Sequence, residues 1–384
     1  MSSSEQAVQL GPIRTRLAGL GRAYTPADVA SAMRATGQPV SDASLLDALD
    51  ELRRNSVGAG VLDPMLRLEG VTDVVVNGPD AVYLDRGRGL EKAGVVFGDD
   101  AEVRQLAQRL AASVGRRLDD AVPFVDARLA DGTRVHAVLA PVSSPGTCVS
   151  LRIPGRALLS LDDLVARGSL GRACGGLLRR IVESRLAFLV SGGTGSGKTT
   201  LLAAMLAAVD PDERIVIVED SRELNPRHPH VVALEARPPN AEGTGAITLT
   251  DLVRQSLRMR PDRVVVGEVR GGELCDLLTA MNTGHEGGCG TVHANSAADV
   301  PARLEALGAL GGMSRSALHA QLASAFDLGI HVARGRDGIR RVAQVVVFRR
   351  SAAGWVEAVE AVRFDGARAV RGPGCAVLEH LLQR

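Results

Sequence analysis

The sequence predicts an α/β fold in two parts, a mostly parallel sheet with flanking helices over the second half of the chain and a smaller α+β domain before it. Three observations carry that expectation. Beyond Gly171, apolar runs of strand length (LAFLV at 186–190, RIVIV at 214–218, RVVVG at 263–267) alternate with helix-like segments. That is the pattern of a parallel sheet covered on both faces. Ahead of Pro154, shorter strand-like runs are separated by the turn sequences Asn77-Gly78-Pro79, Asp131-Gly132 and Ser144-Pro145-Gly146, as in an antiparallel domain. A chain of 384 residues also has room for more than one hydrophobic core.

Taken in order, DASLLDALDELRR at 42–54 places Leu45, Leu49 and Leu52 on one face with Asp42 as N-cap, so an amphipathic helix is expected in an N-terminal extension over 1–60. An α+β domain follows over 61–153. Its strands are VTDVVVN at 71–77, AVYL at 81–84, and the runs 124–127, 134–140 and 148–153, with a helix over 100–114. A linker over 154–170 opens at Ile153-Pro154-Gly155 and contains a short capped helix, SLDDLVAR, at 160–167. The remainder, 171–384, is the parallel-sheet domain. Strand-like runs at 342–348 and 355–362 belong to its tail, and their place in the sheet is left open.

Composition excludes several classes. An apolar fraction of 45% and a charged fraction of 23% describe a folded globular chain. A net charge of +1, with six Phe, two Tyr and one Trp, gives no extended basic stacking groove for nucleic acid. The first residues are polar, and no run approaches the roughly 18 apolar residues of a spanning helix, so a cytoplasmic location without membrane insertion is expected. Five cysteines form no CxxC pair and no zinc spacing.

The chemistry is concentrated around one motif. Strand-like 186–190 leads through Gly192, Gly193, Thr194, Gly195, Ser196, Gly197, Lys198, Thr199 and Thr200 into an apolar helical run, giving GxxxxGK[ST] between strand and helix. Glycines let backbone N–H groups converge on phosphate oxygens, and the helix N-terminus adds partial positive charge. In this arrangement Lys198 reaches the β and γ phosphates of ATP, and the Thr199 hydroxyl is the Mg²⁺ ligand. Lys92 and Lys198 are the only lysines in a chain otherwise supplied with arginine, as expected if a compact point charge is required in that loop. Acids at the ends of neighbouring strands, Glu219 (with Asp220 and Glu223 behind it) and Glu268, are expected to converge on the nucleotide, one to polarise water and one to hold a metal-bound water. His285 and His293 flank a Gly-rich stretch and are candidates to sense the γ-phosphate.

The stretch 213–305, with ERIVIVEDSREL, LRMRPDRVVVGEVRGGE and AMNTGHEGGCGTVHANS, resembles the ATPases of the type II/type IV secretion superfamily. Within it, the closest resemblance is to the TadA/CpaF branch of Flp-type (tight adherence) pilus assembly, and VTDVVVNGPDAVYLDR and VPFVDARLADGTRVHAVLAPVS resemble that branch's N-terminal, PAS-like domain. The resemblance implies a RecA-like P-loop NTPase domain, a homo-hexamer, and an inner-membrane platform protein as partner. It implies that Glu219 lies in an Asp box, that Glu268 is the Walker B acid, and that His285 and His293 form a His box. It also implies that Arg128 and Arg134 approach the γ-phosphate. One departure stands out, Ile153-Pro154 where relatives carry a basic and an aromatic residue, and the tetracysteine module of the type II secretion kind is also absent. The rival readings are a conjugation-type type IV secretion ATPase and, from another class, a DNA translocase.

Overall fold

The computed structural model describes residues 12–383 except 14–15, 18–24, 42–43, 47, 50–58, 88, 154–158, 238, 240–242, 285, 336 and 367. The chain divides into two compact units, Met1–Gly155 and Arg156–Arg384.

The first unit opens with α1 (Pro26–Ala35), started by a reciprocal capping box between Thr25 and Asp28. Its Val29, Ala32 and Met33 pack with Ile13, Leu17 and Ala48. Of the helix expected over 42–54, residues 44–46 and 48–49 are described and helical, and Leu45 and Leu49 reach this cluster; Leu52 lies outside the described residues. After α2 (Asp63–Leu66) come β1 (Asp73–Asn77), β2 (Val82–Asp85), β3 (Leu90–Lys92), α3 (Asp100–Ser113), β4 (Phe124–Arg128), β5 (Arg134–Val138) and β6 (Cys148–Arg152). The six strands form one antiparallel sheet in the order β3-β2-β1-β6-β5-β4. Alternation along each strand sends Val74, Val76, Val135, Ala137, Val149 and Leu151 to one face, where Val103, Leu106 and Leu110 of α3 cover them. The other face is polar, and there Arg128 pairs in register with Arg134, which pairs in turn with Arg152.

The second unit begins earlier than the sequence suggests. The segment 154–170, expected as a linker, carries α4 (Leu161–Ala166), and its Leu161 and Leu164 are buried in the same core as Leu178 and Val190. There follow α5 (Arg172–Glu183), β7 (Phe188–Gly192), α6 (Lys198–Leu206), β8 (Ile215–Glu219), β9 (Val231–Glu235), α7 (Leu249–Ser256), β10 (Arg263–Val269), α8 (Glu273–Met281), β11 (Cys289–His293), α9 (Val300–Leu310), α10 (Arg315–Ala325), β12 (Leu328–Arg334), β13 (Arg340–Arg350), β14 (Val356–Asp365), β15 (Arg368–Arg371) and α11 (Cys375–Leu381). The sheet order is β15-β14-β13-β12-β7-β11-β10-β8-β9. The six strands from β12 to β9 are parallel, and β13, β14 and β15 extend the edge as an antiparallel meander. The tail runs left open in the sequence are therefore β13 and β14. Helices α4, α5, α6 and α11 cover one face of the sheet and α7 to α10 the other, which is why its central strands are apolar along their whole length.

Strand β11 falls within the Gly-rich stretch that His285 and His293 flank in the sequence. Glycine serves packing here: a Cβ at Gly290 of β11 would stand 2.8 Å from the Val266 carbonyl oxygen, and one at Gly288, just before the strand, would run into Met281 Sδ. Cys174 and Cys289 are buried thiols whose pKa values burial pushes up to about 12. No cluster of metal-binding side chains occurs among the described residues.

Candidate functional site

In a parallel sheet every strand delivers its C-terminal residue to one edge, and here that edge gathers the P-loop after β7 with the ends of β8, β10, β11 and β12. The loop needs glycine at specific places. Gly195 and Gly197 have φ of +67° and +97°, in the left-handed region that favours glycine. A Cβ at Gly192 would stand 2.4 Å from the Val332 carbonyl oxygen of β12. Gly197 is the N-cap of α6, so Lys198, Thr199 and Thr200 form its first turn, where backbone N–H groups have no helical partner. The Lys198 ammonium is buried and donates to the carbonyl oxygens of Gly192 and Gly193, both at 3.1 Å. Burial holds its pKa below the ordinary lysine value, with Arg270 adding to the shift and Glu268 and Glu223 opposing it. Ser196 Oγ is buried with no hydrogen-bond partner, a polar atom facing a cradle rather than a filled core.

The acids divide into two kinds. Glu219 is buried, and its Oε1 accepts from the backbone N–H groups of Glu223 (3.0 Å) and Leu224 (2.9 Å), fixing the loop after β8. It also lies so close to β10 that a Cβ at Gly267 would meet Glu219 Cγ at 2.5 Å. Glu268 is more open. Its Oε1 is 3.8 Å from His293 Nδ1, and Oε2 accepts from Arg270 Nε at 2.7 Å and from Arg270 Nη2. On the far side of His293, Nε2 is 3.3 Å from Thr194 Oγ1 of the P-loop. A chain of contacts thus runs from Thr194 through His293 to Glu268 and Arg270, and on to Asp220, whose Oδ2 is 3.6 Å from Arg270 Nη1. Oxygen donors of this kind, the Thr199 hydroxyl with nearby carboxylates, suit a hard divalent cation such as Mg²⁺.

The structure thus brings together Gly192 to Thr200, Glu219, Glu268 and His293. His285 lies outside the described residues, and Arg128 and Arg134 belong to the first unit, in β4 and β5. Three contributors were missed in the sequence. Arg270 was legible as a cation two residues after Glu268, just past the end of β10. His331, whose Nδ1 is 3.0 Å from Ser191 Oγ, and Arg340 gave no local signal, since each reaches the loop only through sheet pairing.

Residues 55–345 match the family model described as "Type II/IV secretion system protein". A Mycobacterium tuberculosis protein whose name gives it, provisionally, as a conjugal transfer protein is 56% identical over 326 residues, covering 83% of this chain and 92% of that one. The conjugal transfer protein TrbB of Rhizobium radiobacter is 34% identical, covering 72% of this chain and 83% of that one. Among solved structures, the Legionella pneumophila ATPase DotB superposes with a TM-score of 0.52 at 18% identity, covering 84% of this chain and 81% of that one, a likeness of fold.

Proposed function

Because the chain belongs to the type II/IV secretion system protein family, we propose that it is an ATPase powering a membrane-embedded secretion or pilus machine. The observation that carries this reading is the link from the P-loop to the strand-end acid, Thr194 to His293 at 3.3 Å and His293 to Glu268 at 3.8 Å. A phosphate-binding loop alone only holds nucleotide; an acid wired to it can also respond to the γ-phosphate.

In this reading Lys198 leaves the two carbonyls for the β and γ phosphates, and the α6 N–H groups hold the phosphate oxygens. Glu268 Oε1 takes a proton from the attacking water as its oxygen bonds to the γ-phosphorus, and the bridging P–O bond breaks to leave ADP and phosphate. Arg270 holds the other carboxylate oxygen, so only one oxygen of Glu268 turns toward water. His293 couples the Glu268 position to the loop. Thr199 is the protein ligand for Mg²⁺, which when bound neutralises phosphate charge. Glu219 shapes the floor of the site. Arg128 and Arg134 enter from the sequence resemblance, as cations that stabilise γ-phosphate charge in a homo-hexamer, with His285 as partner of His293.

The machine proposed is of the Flp-type, tight-adherence pilus branch, seated on an inner-membrane platform protein; none of the described helices is long and apolar enough to cross a membrane. A second reading, a conjugation-type secretion ATPase, is favoured by the names of the two relatives. The enzymatic core is tested by nucleotide binding and turnover in three chains. Lys198→Ala should lose ATP affinity. Glu268→Gln should bind ATP as the parent does while turnover falls roughly 100-fold or more. Parental turnover in Glu268→Gln would remove that carboxylate from the mechanism. Co-purification of each reading's membrane partner separates the two machines.

A further inference from the structure

Arg340 takes no part in the chemistry above, yet it lies on the P-loop. Strand β12 runs parallel to β7 with His331 opposite Ser191. Strand β13 returns antiparallel with Arg340 opposite Arg334. The turn between them therefore stands at the same end of the sheet as the phosphate loop. There the Arg340 side chain crosses Gly197: a Cβ built on that glycine would be 3.3 Å from Arg340 Cδ and 3.8 Å from Arg340 Cβ. Gly197 is thus constrained twice, by its φ of +97° and by the arginine stem lying over it.

Among the described residues, the arginines of this turn are not equivalent. Arg341 is committed to Asp337, with Nη1 to Oδ1 at 3.0 Å and Nη2 to Oδ2 at 2.7 Å. Arg334 Nε donates to the Gly338 carbonyl oxygen at 3.1 Å. Arg340 is exposed, and among the described residues its guanidinium makes no hydrogen bond or ion pair. Next to Gly197, Ser196 is only 4% exposed and its Oγ has no partner. A cation fixed by its stem and an unsatisfied hydroxyl therefore flank the same residue at the N-terminus of α6.

We propose that Arg340 is a nucleotide ligand, reaching the polyphosphate of the bound nucleotide over Gly197 and adding a forked cation to the Lys198 point charge. The inference rests on the nucleotide-binding reading of the P-loop. A planar guanidinium engages two phosphate oxygens at once, which an ammonium does not. Arg340 stands outside the Thr194, His293 and Glu268 chain, so its contact is with phosphates that ADP retains, and it acts on affinity rather than on bond cleavage.

The test is calorimetric titration of the full chain with Mg-ADP at several salt concentrations, on the parent, Arg340→Gln, Arg340→Lys, Lys198→Ala and the neighbouring control Arg341→Gln. Arg340→Gln should raise the Kd for ADP about tenfold and weaken the dependence of Kd on salt, because one screened cation–phosphate attraction is removed. Arg340→Lys should recover part of both, and Arg341→Gln should bind as the parent. Parental affinity in Arg340→Gln, with Lys198→Ala unable to bind, overturns the inference and leaves the P-loop reading intact. Weakened affinity with an unchanged salt slope also overturns it, because the contact is then not to phosphate. A parent chain that does not bind ADP overturns the reading on which it rests.

Discussion

Arg263 shows how much a single residue can depend on its partner. Its side chain is buried, donating to Glu213 Oε2 at 2.7 Å and to the Val182 carbonyl at 2.9 Å, while Arg185 shares Glu213 at 3.0 Å. The Glu213 carboxyl is raised by burial, but its bonds to Arg263 and Arg185 outweigh that and hold its pKa below the usual 4.5. A carboxylate with a depressed folded pKa contributes stability that is complete above its unfolded value and is lost as pH falls through the folded one. The pair therefore weakens only below about pH 4.5. Glu213→Ala should destabilise the fold at pH 7 by about 3–5 kcal/mol, measured by urea unfolding, because it leaves a buried guanidinium uncompensated. A change below about 1 kcal/mol would mean that Arg263 finds water or another acceptor.

At the scale of elements, β12 supports the P-loop strand. It supplies the Val332 carbonyl that excludes a side chain at Gly192, and it supplies His331, which faces Ser191 Oγ at 3.0 Å. Burial holds the His331 pKa below the ordinary 6.5; Asp299 opposes that shift and Lys198 adds to it. The unfolded chain therefore binds the proton more readily, so this contribution to stability is full above pH 6.5 and is lost as pH falls from there toward the folded pKa. Between pH 7.5 and 5.5 the parent should lose thermal stability, and His331→Gln should lose less of it over the same interval. Parallel pH profiles in the two proteins would exclude His331 as the titrating group. Strands β11 and β12 were among the elements least visible in the sequence. Gly290 in β11 and Gly288 just before it read as loop residues although neighbouring backbone and Met281 demand them, and β12 follows α10 with little to separate strand from buried helix.

At the scale of the molecule, each unit encloses its own core, a six-stranded antiparallel sheet under α3 in the first and a nine-stranded sheet between two helical layers in the second. If the proposed ring is the active form, ATP turnover per chain should rise with protein concentration as light scattering reports a hexamer, and should vanish in Lys198→Ala. Turnover that is unchanged on dilution to monomer would set the ring aside while leaving the ATPase reading in place.

The sequence by itself determined the fold class, the phosphate loop, and which carboxylates lie at strand ends. Each of these is written in contiguous residues: apolar runs long enough to be buried on both faces, glycines flanking a lone lysine, and acids at the C-terminal end of a strand. Only the tertiary structure decided what those acids contact. Both stand at the C-terminal end of a strand, yet Glu219 accepts two backbone N–H groups while Glu268 stands between His293 and Arg270. It also decided that His331 and Arg340 belong to the loop, because strand pairing joins residues about 140 apart in the chain, and no local pattern records a pairing at that range.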